Sequence, residues 1–548
     1  MNYFDFIIIG AGSAGCVLAD KLSSSGAQSV LLIEAGPSDK RFWIQAPIGY
    51  GILFTDPKVN WCYFSEPEPN LKNRKIYFPR GKVLGGSSSI NALVYHRGQS
   101  SDYNDWDPKG NNGWDYRSLE RIFDSFENIV DANGENKENS LKYNYLNVNN
   151  VKEDYHELKN DFLETCMQSQ LPTSQIGCLK EEGVGPYFIT TKNGKRFSSA
   201  KAFLKPSINR PNLKVIKNSQ VSRILFKDGC AIGVECKKDN FFRDQSHLIF
   251  MAKKEVILSA GAVNSPQILQ LSGVGQKELL KKFSIDLVLE QKNVGKNLQD
   301  HLGINYYFKA NRPTLNNIFG NWQGRLRSGI QYILTNKGPL SIGVNQIGGL
   351  VRSSSIENSS NIQLYFNPVS YQTRFENKRY LMKPDNFPGF FIGFNSCRPE
   401  SRGSIEIQSN DINCQPKIFC NYLSNQKDID DVVKGARLIG LMQETEAIKN
   451  IISHKPNTII NQMNDGEIID DFRQRSSTVF HPCGTCKMGS NIENSVVDYK
   501  LKVHGLKNLR IVDASIFPNI TSANTNSPTI MVAHKAAEMI NEEYENHL

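Results

Sequence analysis

Residues 2–37 read NYFDFIIIGAGSAGCVLADKLSSSGAQSVLLIEAGP, and this stretch decides how the rest of the chain is read. Phe4 to Ile9 form an apolar run rich in β-branched residues, and Gly10, Gly12 and Gly15 follow at G-x-G-x-x-G spacing. The pattern predicts a strand, a tight turn and a helix start. Gly10 turns the chain, Gly12 lets backbone amides approach a pyrophosphate, and Gly15 lets the helix lie close to the strand. The positive end of that helix suits phosphates. Ser29 to Ile33 read as a second buried strand ending at Glu34, whose carboxylate can accept a hydrogen bond from a ribose 2′-hydroxyl. An acid there disfavours a 2′-phosphate, so NADP is not expected. FAD and NAD remain open, because both present the same ADP half.

Outward from this unit, 548 residues exceed what one core supports, so at least two domains are expected. Apolar content of 39% and charged content of 22% describe a globular protein. No run approaches the ~20 apolar residues of a membrane span. The first strand starts within a few residues of Met1, leaving no room for a signal segment, which points to the cytoplasm. Eleven cysteines, an odd number without a signal, argue for reduced thiols. The net charge of +9 comes from lysines interleaved with acids, which reads as a solvated surface. No basic run with interleaved aromatics appears, so nucleic acid is not expected. Weak attraction to an anionic membrane surface stays open.

The loop Phe78-Pro-Arg-Gly-Lys-Val-Leu-Gly-Gly-Ser-Ser-Ser-Ile-Asn91 is dense in backbone and hydroxyl donors and suits close approach to a flat or anionic ligand. Residues 131–151, rich in Asn, Glu and Lys, read as an exposed excursion or lid with little core. Short alternating runs over Asn212–Val234 suggest a hairpin. Glu255–Gly261 reads as another buried strand ending at a glycine, followed by a helix with Ser265 as N-cap, Pro266 in its first turn and Gly273 as its stop. From Leu302 to about Thr478 short alternating segments such as Ser404–Gln408 predict a separate antiparallel sheet with flanking helices. The chain returns to a strand at Leu509–Val512 and ends in a helix from Pro528 to about Glu542, which Ser527 can cap.

Four blocks in this order resemble the glucose-methanol-choline (GMC) oxidoreductases: GAGSAG with Glu34, RGKVLGGSSSIN from Arg80, GAVNSPQILQLSGVG from Gly261, and HPCGTCKMG from His481 with DASIFPNITSANTNSPTIM from Asp513. The resemblance implies an α/β FAD-binding (Rossmann-like) domain, residues 1–301 and 479–548 with an excursion near 131–185. An α+β substrate domain built on an antiparallel sheet, residues 302–478, would interrupt it. It implies oxidation of a primary or secondary alcohol, with hydride transfer to flavin N5. Residues carried over as cofactor contacts are Gly10, Gly12, Ser13, Ala14, Gly15, Glu34, Ala35, Val83, Gly86, Ser87, Asn91, Ala92, Leu93, Val94, Val221, Asp513, Ala514 and Thr525. His481 and Asn524 would face the flavin ring.

The residue chemistry agrees with that assignment. Histidine is the side chain whose ordinary pKa suits accepting a hydroxyl proton near neutrality, which makes His481 the candidate base, with Asn524 holding the alkoxide. His301, His504 and His534 carry no comparable block. The amino end of the last helix, just after Asn524 and Thr525, would stabilise negative charge on the flavin. Cys483 and Cys486 form a C-x-x-C, but no second pair at zinc spacing accompanies it; packing rather than metal binding is expected. Family members that hold the flavin covalently use a His where this chain has Ile90, so noncovalent FAD is expected. The His–Asn pairing is similar to choline-dehydrogenase-like and alcohol-dehydrogenase-like members. No second glycine fingerprint would seat NAD(P)H, which leaves oxygen, a quinone or another carrier as acceptor. A flavin-dependent lyase or decarboxylase on the same fold is the alternative.

Overall fold

The computed structural model describes residues 2–110, 112–131, 146–238, 247–376, 379–454 and 458–545. β1 (Tyr3–Ile9) leads through the glycine turn into α1 (Ser13–Leu22). β2 (Val30–Ile33) lies parallel to β1 with Phe6 opposite Val30, and β3 (Leu213–Ile216) extends the parallel set beyond β2. β4 (Ser219–Lys227) and β5 (Cys230–Lys238) form an antiparallel hairpin. β6 (His247–Leu258) then runs parallel to β1. On its other side, β6 pairs antiparallel with β5 through its first half and parallel with β7 (Leu509–Ile511) through its second. Phe6 to Ile9 and Val30 to Ile33 are buried, as the unbroken apolar runs of a parallel sheet covered on both faces require. α1 and α3 (Asn526–Glu545) pack together against it.

Two local expectations are corrected here. The alternating runs of 212–234 are a parallel strand, β3, followed by β4 and the start of β5, so only their second part is hairpin. The helix after β6 begins at Gly261, not at Ser265: α2 spans Gly261–Leu271 and carries Pro266 inside it. Proline lacks the N–H that would bond to the carbonyl four residues back. The Thr485 hydroxyl donates to that Ala262 carbonyl at 2.6 Å instead, so the helix continues through the proline.

The second sheet has six strands, all antiparallel, in the spatial order Ser477–Thr478, Leu302–Lys309, Gly389–Ser396, Ile362–Asn367, Ile347–Val351, Gly183–Pro186. Its packed face carries Phe308, Phe366, Phe390 and Phe394, covered by the helix Gln426–Gln443. Its last strand begins at the far end of the expected excursion near 131–185, so that end is built into this layer. Leu158–Gln168 is a helix whose Phe162 stacks on Phe366 at 4.8 Å. Leu146–Asn150 is a strand paired with Glu127–Val130, and Leu146 and Val148 are buried. The Asn-rich composition concealed the two-residue alternation Leu-Asn-Val-Asn of that strand. Residues 132–145 of the expected excursion lie outside the described residues.

Candidate active site

A cavity of about 780 Å³ opens between the two sheets. One end is formed by Ile9, Ile33 and Ser259 at the carboxyl ends of β1, β2 and β6, the location at which parallel α/β sheets bind ligands. The other is formed by Asn305, Gln363, Phe391 and Asn395 of the antiparallel sheet.

At the first end two glycine loops press together. Gly10 has φ +97°, and a Cβ there would lie 2.5 Å from the Ser259 carbonyl oxygen. Gly85 donates its N–H to the Ala11 carbonyl at 2.7 Å, and a Cβ on Gly86 would lie 2.8 Å from the Gly12 Cα. α1 starts without a side-chain cap, which leaves its first amides for a ligand. Glu34 accepts from the amides of Ala11 at 2.9 Å and Gly36 at 2.8 Å, and burial pushes its carboxyl up to about 7. Asp513 ties the end of β7 to the start of α2, accepting from Gly261 N at 2.8 Å and Ser265 Oγ at 2.6 Å. That bond, rather than a cap, is what Ser265 supplies. Ser527 likewise does not cap the last helix, which starts at Asn526; its hydroxyl donates to Tyr95 Oη at 2.8 Å.

Of the residues expected around a cofactor, Gly10, Gly12, Ser13, Ala14, Glu34, Ala35, Gly86, Ser87, Asn91, Ala92, Leu93, Val94, Val221, Asp513, Ala514 and Thr525 all line this cavity. Two stand off its wall. Gly15 faces the strand instead, where a Cβ would lie 1.9 Å from the Gly10 oxygen, and Val83 is fully buried beside Ile44, Leu53, Val59 and Ile90. Ser259 Oγ and Asn524 Oδ1 are buried without a hydrogen-bond partner, and both residues line the cavity.

His481 follows the short strand Ser477–Thr478 and is clamped through its backbone. Its N–H donates to Asp300 Oδ1 at 2.7 Å, and Asp300 also accepts from the Tyr422 and Thr478 hydroxyls. Arg80 Nη2 donates to the carbonyl of Phe480, a residue held at φ +73°, at 2.6 Å. A non-glycine residue in the left-handed region costs of order 1–3 kcal/mol and persists where its surroundings over-determine it.

The ring of His481 has a defined tautomer. His301 Nε2 lies 2.8 Å from the Cys397 carbonyl oxygen, which only accepts, so His301 carries its proton on Nε2. His301 Nδ1 is then the acceptor in the 2.9 Å contact with His481 Nδ1, and His481 must donate there. The remaining nitrogen, His481 Nε2, keeps a lone pair and accepts from Asn524 Nδ2 at 3.0 Å at the cavity wall. Burial, with His301 and Arg80 adding to it, pulls the His481 pKa well below the usual histidine range. Burial holds His301 at about 4. Both rings are neutral at physiological pH, as the assignment requires.

His301 was missed in the sequence because it sits at the end of a polar, turn-like run, NVGKNLQDH, with nothing to tie it to His481. Asp300 and Arg80 were missed for the same reason: each acts on the backbone of a segment about 180 or 400 positions away. Cys483 and Cys486 are fully buried in the core. Among the described residues no three His, Cys, Asp or Glu side chains are grouped to hold a metal ion.

Comparison with known proteins agrees with this architecture. Two profiles, each described as GMC oxidoreductase, match residues 4–303 and 399–533. An alcohol dehydrogenase (acceptor) of Pseudomonas putida is 38% identical over 547 residues, covering 98% of this chain and 95% of the relative. An oxygen-dependent choline dehydrogenase of Vibrio vulnificus is 37% identical over 541 residues, covering 98% and 94%. The crystal structure of pyridoxine 4-oxidase from Mesorbium loti superposes with a TM-score of 0.85 at 25% identity, covering 98% and 99% of the two chains.

Proposed function

The chain belongs to the GMC oxidoreductase family, FAD-dependent enzymes, and from that membership we infer that it oxidises a neutral alcohol to its carbonyl with His481 as the base. The observation that carries this reading is the neutral His481 ring at the cavity wall, with its Nδ1–H held by His301 and its one free lone pair, on Nε2, capped by the Asn524 amide.

The residues present fit FAD. The glycine cradle admits a pyrophosphate, Glu34 keeps a lone pair on each oxygen for ribose hydroxyls, and Ser259 Oγ and Asn524 Oδ1 await polar partners. Ile90, on the wall, offers no atom for a covalent link, so the cofactor is held noncovalently. When bound, FAD supplies the hydride acceptor. The substrate hydroxyl displaces the Asn524 amide from His481 Nε2 and gives up its proton there. The Asn524 amide, released from Nε2, donates to the alkoxide oxygen. The developing imidazolium is stabilised through Nδ1–H by His301, which is already oriented to accept.

The substrate wall separates alcohols by charge. It is aromatic, with Trp61, Tyr307, Tyr365, Tyr371 and Phe391, but it also carries Arg74, Arg80 and Arg475. Among the described residues the only carboxylates lining the cavity are Glu34 and Asp513, and both are committed to the backbone at the cofactor end. A trimethylammonium group would find aromatic faces with no carboxylate among the described residues of the substrate wall and with Arg74 and Arg80 nearby, Arg475 being paired with Asp471. We therefore assign an uncharged primary or secondary alcohol rather than choline. The lyase and decarboxylase reading gains no support from the relatives above, which are dehydrogenases and an oxidase. The acceptor is oxygen, a quinone or another carrier. Adding a panel of alcohols, choline included, to the FAD-loaded protein without oxygen tests the assignment. Bleaching of the flavin by an uncharged alcohol and not by choline is expected, and bleaching by choline alone would overturn it.

A further inference from the structure

The helix Trp322–Thr335 presents its apolar side to solvent. Trp322, Leu326, Ile330, Ile333 and Leu334 are each more than half exposed. At 100° per residue these five fall within one arc of roughly 120°. Ser328 and Tyr332, on the far side, are the residues the helix buries. The Tyr332 hydroxyl reaches the carbonyls of Gly194 at 3.1 Å and Gln45 at 3.4 Å. Phe42, half exposed and in edge contact with Tyr332 at 6.1 Å, extends the patch, and Trp43 continues it. The 42–54 segment that receives Tyr332 also supplies Tyr50 and Phe54 to the cavity wall.

The helix itself carries charge of one sign. Arg325 and Arg327 are exposed and lie at opposite edges of the apolar arc. From His301 to Ile356 the sequence has six Lys or Arg and no Asp or Glu. An apolar arc flanked by arginines is the pattern of a helix lying in a membrane interface, with the arginines reaching lipid phosphates. A second copy of the chain would be a poor occupant, because a two-fold contact through this helix sets its arginines against arginines.

We propose that this face docks on an anionic lipid surface, the apolar side chains entering the headgroup region and Arg325 and Arg327 contacting lipid phosphates. The helix lies on the membrane; among the described residues no helix is long and apolar enough to cross one.

Co-sedimentation of the FAD-loaded full chain with vesicles tests the proposal, using phosphatidylcholine alone and phosphatidylcholine mixed with phosphatidylglycerol. Binding to the mixed vesicles, weakened by salt and weak on phosphatidylcholine alone, is expected. The double variant Leu326→Glu, Ile330→Glu should lose binding while keeping its flavin spectrum and its turnover of soluble alcohol. The pair Arg325→Gln, Arg327→Gln should bind about tenfold more weakly or worse. Absence of binding to mixed vesicles at low salt would overturn the proposal, as would undiminished binding of the Glu variant. A dimer by light scattering that the Glu variant dissociates would overturn it in favour of a second copy.

Discussion

At the scale of single residues, what distinguishes this site is the order in which protons are assigned. The Cys397 carbonyl sets His301, His301 sets His481, and the His481 lone pair is left on Nε2, where Asn524 caps it. Replacing His301 by Leu removes the acceptor for His481 Nδ1–H and frees the other tautomer. A fall in kcat of roughly 10- to 100-fold with FAD retained is expected. Glutamine can donate to Cys397 O and accept from His481 Nδ1, so His301→Gln should recover part of that loss; equal losses in both variants would show that the relay is only packing. The depressed His481 pKa gives a second expectation. As the proposed base, His481 is neutral above its own pKa and is lost only when pH falls through it, so the acid limb of kcat/KM is expected below pH 6.5. Removing the Arg80 cation in Arg80→Met favours the imidazolium and should move that limb upward. A pH profile in which the limb moves down would contradict the account. His481 and Asn524 were legible because motif blocks carry them; His301 was not, since only folding brings it to Nδ1.

At the scale of elements, the parallel strands were legible because burial on both faces leaves unbroken apolar runs such as Phe6–Ile9. Helix starts were less so. Ser265-Pro266 and Ser527-Pro528 both read as cap and first turn, yet each serine bonds another element: Ser265 to Asp513, Ser527 to Tyr95. Local propensity signals where a helix can begin, and tertiary partners moved both starts earlier. The Pro266 exception shows how that is tolerated. Thr485→Val keeps the shape of the side chain and leaves the Ala262 carbonyl unbonded within α2, which should cost about 1–3 kcal/mol. A urea denaturation midpoint lowered with an unchanged slope is the expected readout. An unchanged midpoint would mean that the helix satisfies that carbonyl in another way.

At the scale of the whole molecule, four blocks from residue 10 to residue 526 converge on one cavity, and the order of those blocks was enough to anticipate the two-sheet architecture. The composition of the substrate wall was not legible. Trp61, Arg80, Tyr365 and Arg475 come from distant segments, and their meeting depends on how the antiparallel sheet seats against the parallel one. Nor was the outward face of Trp322–Thr335, because helical periodicity reports that a helix has an apolar side without reporting what that side faces.

The central claim is that His481 takes the hydroxyl proton of an alcohol. Its most direct test is the rate at which alcohol bleaches the flavin without oxygen, in the native protein and in His481→Ala loaded with FAD. The account predicts that the variant stays yellow and bleaches at least roughly 100-fold more slowly. A variant that binds FAD and bleaches at the native rate would contradict it.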